Sequence, residues 1–158
     1  MLTSNRNILI AAMPKSASSF LTEMICSTFL YRQAILVPVH AGREQELDFQ
    51  KLETYKNIYS FNIDRRNYVA QHHVKYNRGT ENACRHYNLF PVVLARNVLD
   101  NLRSFIEFSR EVYDPNGPEY EKPFPSFLSG GPEENIKDYT IHFHLPWIIS
   151  FLKSWSYC

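Results

Sequence analysis

The chain has 158 residues, and its 17 basic and 16 acidic side chains give a formal net charge of +1 at pH 7. Because the two charge types are nearly balanced, a broad electrostatic surface for nucleic acid or membranes is not expected. No apolar stretch approaches the ~18 residues of a membrane span. With 44% hydrophobic residues, the chain can bury the core of one domain over 1–158, and we expect neither nucleic acid nor a membrane among its partners.

The first predicted elements are a strand, a tight loop and a helix within Asn7–Phe29. An apolar run is followed by Pro14, a loop with Lys15 and three serines, and a segment with apolar residues at helical spacing. Backbone N–H groups at the beginning of such a helix form, with the lysine, a candidate anion site. The loop lacks the G-x-x-x-x-G-K-[ST] pattern of nucleotide hydrolases, since no glycine lies in the first 40 residues. Taken alone, the segment is better interpreted as a surface turn that happens to carry Lys and Ser.

The cysteines and this first apolar run bear on localisation. Cys26, Cys84 and Cys158 are odd in number, widely spaced and without a C-x-x-C pair, so reduced thiols are favoured over a disulfide framework. The run Ile8–Met13 is shorter than the roughly 7–15 residues of a signal-peptide core, and Pro14 interrupts it. We therefore expect a cytoplasmic protein.

The pattern after the first helix is weaker. Ala34–Val39 predicts a short strand, and Pro38 favours an edge or terminal position for it. Glu44–Tyr59 has apolar residues at an imperfect helical period, which indicates a helix or an irregular lobe.

The segment Asn67–Tyr76 predicts a strand with His72 and His73 near its carboxyl end. In parallel α/β sheets ligands collect at that end of the strands, where the first loop also opens. A neutral imidazole with a pKa near ~6.5 can accept a proton there. Neighbours in a strand point to opposite faces, so one histidine is a core or surface residue, and the pair is poorly suited to one metal ion.

A helix, a strand and a second helix are predicted next. Asn77–Gly79 reads as a turn, and Thr80 is the expected cap of a helix over Glu81–Tyr87. The apolar segment Pro91–Ala95 predicts a strand in the middle of a parallel sheet that is covered on both faces. A helix over roughly Val98–Val112 follows.

Arg96 directly follows that strand, and Ser104 lies about two turns along the next helix. An arginine fork and a hydroxyl suit a terminal phosphate. The alternatives are a helix-surface salt bridge from Arg96 to Asp100 and an ordinary surface serine. Taken with the lysine loop, the functional interpretation is favoured.

The last predicted elements are a loop and a helix. The stretch 113–132 is rich in proline and glycine, which indicates a long loop or an insertion. Asn135–Trp155 predicts an aromatic-rich amphipathic helix, kinked or restarted at Pro146. His142 and His144 are most simply residues near the core boundary.

The predicted fold class is α/β, in three layers around a central parallel sheet. Helices are expected on both faces, and the strands are expected at Asn7–Met13, Asn67–His73 and Pro91–Ala95.

Two segments together resemble the signatures of sulfotransferases that use 3′-phosphoadenylyl sulfate (PAPS). PKSASSF is similar to the family's P-K-S-G-T-T-W loop, and VVLARNVLDNLRSFIEF is similar to its R-N-x-x-D-x-x-x-S segment. The matching positions of the second segment are Arg96, Asn97, Asp100 and Ser104. The departures in the first are Ala17 for glycine, Ser18 and Ser19 for threonines, and Phe20 for tryptophan. The resemblance covers residue 7 to about residue 110 and implies a P-loop NTPase-like sulfotransferase fold.

The resemblance implies where PAPS, the co-substrate, binds. Arg96 and Ser104 would hold its 3′-phosphate, and Lys15 would neutralise charge on the bridging oxygen as the leaving group departs. The 5′-phosphosulfate would be held by the loop residues Lys15, Ser16, Ala17, Ser18, Ser19 and Phe20.

The resemblance also implies a general base. The family's K-[ST]-H segment aligns with Gln71, His72 and His73, so His73 would take the acceptor proton and His72 is the second choice. The acceptor would be a hydroxyl of a small molecule, a glycan or a peptide, and the product would be PAP. No metal is expected, because a monoanionic sulfuryl group needs less charge neutralisation than a phosphoryl group.

Domains of this family continue, beyond the position that corresponds to Cys158, into another strand and a late R-K-G segment. We therefore expect a truncated or short member, whose unfinished sheet exposes an apolar edge and favours a homodimer. Two other classes stay open: a non-catalytic nucleotide-binding or interaction module, and a P-loop nucleotide kinase or NTPase.

Overall fold

A computed structural model describes residues 7–36, 67–86, 88–111 and 133–157 of the chain. Its strands are β1 Asn7–Ala12, β2 Arg32–Ala34, β3 Tyr68–His72 and β4 Leu89–Leu94. All pair in parallel, and the sheet order is β2-β3-β1-β4. The predicted α/β class with a central parallel sheet is confirmed.

Five α-helices accompany the strands in the described residues. They are α1 Ser18–Phe29, α2 Arg78–His86, α3 Val98–Glu111, α4 Glu133–Tyr139 and α5 Leu145–Trp155. A π-helical segment, Thr140–His144, joins α4 to α5, so the backbone stays helical through a widened turn. The sequence predicts that the last helix is kinked or restarted at Pro146. The widened turn instead ends at His144, and Pro146 lies in the first turn of α5.

The side chains of β1 alternate between two cores. Leu9 and Ala11 belong to the larger core, together with buried aromatic side chains of α5. Ile10 and Ala12 belong to the smaller core, which aliphatic side chains of α1 cover. Helices therefore pack on both faces of this strand, which explains why its sequence is an almost unbroken apolar run.

The position of β4 differs from the prediction of a central strand. Among the described strands it pairs with β1 alone and lies at the edge of the sheet. Its apolar side chains are not all covered, since Phe90 is 57% and Val93 42% exposed. An apolar run indicates burial on both faces, but the sequence does not say which segment supplies the cover.

The cap of α2 also differs from the prediction. The Asn77 side-chain oxygen accepts a hydrogen bond from the backbone N–H of Thr80 at 2.8 Å, so Asn77 is the capping residue. The Thr80 hydroxyl instead donates to the carbonyl of Lys75 at 2.9 Å. The helix consequently begins at Arg78, earlier than predicted.

Other predictions are tested only partly. The strand expected over 34–39 coincides with β2 at Ala34, while residues 35 and 36 are not strand and 37–39 lie outside the described ranges. The helix or lobe expected over 44–59 and the loop over 113–132 also lie outside them. No helix within the described ranges is long and apolar enough to cross a bilayer.

Candidate functional site

The predicted site residues follow the carboxyl ends of three adjacent strands. Ala11 of β1 is in register with His72 of β3, and Ala12 of β1 with Leu94 of β4, so the three strands end at the same edge of the sheet. The loop 13–17, His73 and Arg96 leave the sheet there. This is the edge at which parallel α/β sheets bind ligands.

The backbone of the loop alternates between two conformations. Lys15 has φ 59° and Ala17 has φ 62°, whereas φ of Ser16 between them is negative. Such alternation directs consecutive backbone N–H groups into one concavity that suits an anion. Ala17 is also the N-cap residue of α1, and its methyl group cannot accept a hydrogen bond from the first turn of the helix. Both features leave backbone donors for a bound anion.

Three donors hold the successive carbonyl groups of this loop. The Ser16 hydroxyl donates to the carbonyl of Met13 at 2.6 Å, and the Asn101 side-chain amide to that of Pro14 at 2.5 Å. The Arg96 guanidinium donates to the carbonyl of Lys15 at 3.2 Å. In a trans peptide the C=O and N–H groups point in opposite directions, so the held carbonyls of Pro14 and Lys15 direct the N–H groups of Lys15 and Ser16 to the other side.

Lys15 is half-buried, and its ammonium lies 3.8 Å from the ring centroid of Phe108 on α3. A ring face attracts a cation without neutralising it, at about 0.5–2 kcal/mol. The positive charge of Lys15 is therefore retained beside the loop.

The remaining loop residues differ in exposure. Ala17, Ser19 and Phe20 are exposed at the beginning of α1, Phe20 to 67%. Ser18 is buried, and its hydroxyl oxygen accepts a hydrogen bond from Gln71 at 2.8 Å. Gln71, which aligns with the family's lysine, therefore bonds to α1, while the Ser18 hydroxyl proton can go to another acceptor.

His72 belongs to the core. It is 2% exposed, and its Nε2 accepts a hydrogen bond from the backbone N–H of Leu36 at 3.1 Å, so the neutral ring carries its proton on Nδ1. Burial, with a smaller effect of His73, lowers the pKa of His72 to about 4. The structure thus gives His72 the role of tying β3 to the residues after β2.

His73 has the geometry expected of a base. Its Nδ1 lies 2.9 Å from the carbonyl oxygen of Ala12, which can only accept, so Nδ1 carries the proton and Nε2 the lone pair. Burial lowers the pKa of His73, and the hydrogen bond to Ala12 opposes that shift in part. The imidazole is therefore neutral at pH 7, as a general base must be.

The second motif is partly structural. Asn97 accepts hydrogen bonds from the backbone N–H groups of Leu99 and Asp100 and so caps α3. The Arg96 guanidinium bonds to the carbonyl of Lys15 in the loop 13–17, which lies on a different element from Asp100. Ser104 lies half-buried in the second turn of α3.

Two buried polar residues were given no role from the sequence: Asn101 was not singled out, and His144 was placed only near the core boundary. Asn101 is fully buried, and its side-chain oxygen lies 3.0 Å from Nε2 of His144, which is 1% exposed. The available signal was position, because Asn101 is four residues before the buried Phe105 on the apolar face of α3. A polar side chain there needs a partner, since an unbonded one would be costly to bury.

Comparison of the chain with protein-family models, curated proteins and solved structures found no match. The described ranges hold no group of three or more His, Cys, Asp or Glu side chains placed to bind a metal ion. The two motifs and the contacts between them are therefore the features of this chain that point to a function.

Replacing Ala17 by glycine tests the loop conformation. A φ near +60° destabilises an L-residue by roughly 1–2 kcal/mol. Ordering a glycine costs about 0.5–1 kcal/mol more conformational entropy than ordering an alanine. We expect Ala17→Gly to leave the free energy of unfolding unchanged or to raise it by up to about 1 kcal/mol in urea titrations. Ala83→Gly, a control buried in α2, should lower it by about 1 kcal/mol or more. Equal losses in both variants would contradict the left-handed conformation.

Acidification should expose the role of His72. Its folded pKa lies below its unfolded value, so the unfolded chain binds the additional proton and stability falls as the pH drops from 6.5 towards about 4. The difference between the unfolded and folded pKa values of His72 corresponds to about 3 kcal/mol in the free energy of unfolding. We expect His72→Gln, which keeps an acceptor for Leu36, to flatten the profile of unfolding free energy between about pH 7 and pH 5. Parallel profiles for the two proteins would show that His72 protonates equally in both states.

Proposed function

We propose that this chain is a PAPS-dependent sulfotransferase with a P-loop-like sulfotransferase fold, which transfers a sulfuryl group to a hydroxyl acceptor. The hydrogen bond from Arg96 to the carbonyl of Lys15 carries the proposal. It joins two segments, 81 residues apart, that resemble the family's 3′- and 5′-phosphate motifs. A nucleotide phosphorylated at both ends needs two such anion sites close together.

The 5′ end of the nucleotide would occupy the loop. The N–H groups of the alternating backbone and of the first turn of α1 would bind the phosphate oxygens. Ser18 and Ser19 would add hydroxyl donors, whereas the Ser16 proton is already donated to Met13. Lys15 would move from the ring of Phe108 to the bridging oxygen as negative charge develops there.

The transfer itself would use His73. The acceptor oxygen bonds to sulfur, while the bond from sulfur to the bridging oxygen breaks and its electron pair stays on the phosphate of PAP. The acceptor proton passes to Nε2 of His73, whose Nδ1–H is oriented by the carbonyl of Ala12. The lowered pKa keeps this nitrogen unprotonated before the reaction.

The 3′-phosphate would be bound by Arg96 and Ser104. The Arg96 side chain is exposed, and one of its nitrogens is anchored to the loop, so the rest of the fork can face a phosphate. The acceptor is proposed only as a class, a hydroxyl of a small molecule, a glycan or a peptide.

A nucleotide panel tests this proposal. We expect 3′,5′-ADP to raise the melting temperature without Mg²⁺ by several degrees, because a ligand at about 100 times its Kd adds about 2.7 kcal/mol. The chain should also transfer sulfate from PAPS to a phenol. His73→Ala should lower kcat by about 10²- to 10⁴-fold while 3′,5′-ADP still binds.

The alternatives give different results in the same panel. Stabilisation by ATP with Mg²⁺ and not by 3′,5′-ADP would indicate a kinase or NTPase. Binding of 3′,5′-ADP with no transfer to any hydroxyl would indicate a nucleotide-binding module. Transfer that survives His73→Ala would reject His73 as the base.

Arg96→Ala tests the 3′-phosphate site separately. A lost hydrogen bond to a charged group is worth roughly 1.5–3 kcal/mol, so we expect about 10- to 100-fold weaker binding of 3′,5′-ADP by calorimetry. Binding of 5′-AMP should weaken less, because this nucleotide has no 3′-phosphate for Arg96 to bind and is affected only through the lost hydrogen bond to the carbonyl of Lys15. Arg103→Ala is the matched control, since Arg103 is an exposed arginine of α3 that pairs with Glu107. Equal losses for both nucleotides would place Arg96 at the 5′-phosphate instead.

A further inference from the structure

A buried chain of hydrogen bonds connects the loop 13–17, which we call the anion loop, to the π-helical segment Thr140–His144. The carbonyl of Pro14 accepts from the Asn101 side-chain amide at 2.5 Å, and the Asn101 oxygen lies 3.0 Å from Nε2 of His144. Asn101 and His144 are 0% and 1% exposed. Loop, α3 and π-helical segment are thereby joined by side chains that sequence analysis assigned to no function.

The direction of every bond in this chain follows from its chemistry. The carbonyl of Pro14 can only accept, so the amide nitrogen of Asn101 must face it and the amide oxygen must face His144. His144 therefore carries a proton on Nε2 and donates it. All donors point towards the loop, an order in which each bond polarises the next.

Packing alone does not account for these two residues. Asn101 lies on the buried face of α3, where an aliphatic side chain would avoid the cost of burying an amide. The His144 ring stacks on Phe105 with ring centroids 3.8 Å apart, and phenylalanine could make that contact as well. The polar atoms of the two side chains add hydrogen bonds that fix the position of the Pro14 carbonyl in the loop.

That carbonyl controls the direction of a backbone donor. The Pro14–Lys15 peptide is trans, so its C=O and N–H groups point in opposite directions. When Asn101 holds the carbonyl towards the interior, the N–H of Lys15 points away from the interior. A peptide released from this hold could rotate and present its negative oxygen to an anion.

We propose that Asn101 and His144 are positioning residues of the anion loop. Through the Pro14 carbonyl they fix the peptide whose N–H faces the bound phosphate, and neither residue touches the ligand. The π-helical segment is the element that brings His144 to Asn101, in keeping with the frequency of such segments at functional sites. The identity of the ligand rests on the proposed function, whereas the hold on the loop does not.

Paired substitutions separate the hydrogen bond from the packing. His144→Phe keeps a ring against Phe105 and removes the donor, while His144→Gln removes the ring and keeps an N–H near the position of Nε2. Asn101→Leu removes both bonds, keeps the branching at Cγ and adds no charge. His142→Phe is the matched control, because His142 is an exposed histidine of the same π-helical segment.

The first measurement is the NMR order parameter of the backbone N–H groups of residues 15–19 in the chain without ligand, which does not require those groups to be hydrogen-bonded. Rigid backbone has an order parameter of about 0.85 and flexible backbone one below about 0.6, and we expect a fall towards the lower range for His144→Phe and Asn101→Leu. We expect His144→Gln and His142→Phe to keep the order parameters of the chain without substitutions. The dissociation constant of 3′,5′-ADP, measured by calorimetry, should follow the same order.

Order parameters of 15–19 that are unchanged in both His144→Phe and Asn101→Leu would overturn the proposal. Order parameters that fall equally in His144→Phe and His144→Gln would also overturn it, because ring packing would then be responsible. If the chain without substitutions does not bind 3′,5′-ADP, the proposed function fails, and the order parameters still decide whether the loop is held in this way.

Discussion

The candidate site depends on Arg96, which lies between β4 and α3, and on Asn101 of α3, because both side chains hold carbonyl groups of the loop between β1 and α1. Lys15 and Ala17 adopt positive φ without being glycine, a conformation that costs energy and persists only where the surroundings enforce it. Arg96 and Asn101 supply that enforcement through the carbonyls of Lys15 and Pro14. The N–H groups are then directed to the opposite side, where a ligand can use them.

The parts of the fold that sequence predicted are those with a strong local signal. β1, β3 and α3 were predicted to within a few residues, because apolar runs and helical spacing are properties of neighbours in the chain. The meeting of Arg96 with the lysine loop was also predictable, since parallel strands bring their carboxyl ends to one edge. Which of the two adjacent histidines lies in the core required the structure, because strand alternation gives opposite faces but does not name them.

Other features depend on contacts between distant segments. The bond of Gln71 to Ser18 and that of Asn101 to His144 each join two elements that show no mutual signal in the sequence. The edge position of β4 likewise follows from which segments pair, and not from its own composition. The π-helical segment is only five residues long, and a change confined to about one turn is too short for helical periodicity to detect.

The hold on Pro14 has a consequence for the order in which the molecule matures. Its carbonyl is bonded to a side chain 87 positions later, and that side chain to another 43 positions further on. The loop is synthesised before these residues, yet it reaches its final shape only when the π-helical segment that carries His144 has been synthesised and packed. Non-local contacts of this kind form only after long segments have been ordered. A nascent chain would therefore acquire a loop shaped for an anion only after residue 144 has been synthesised and packed.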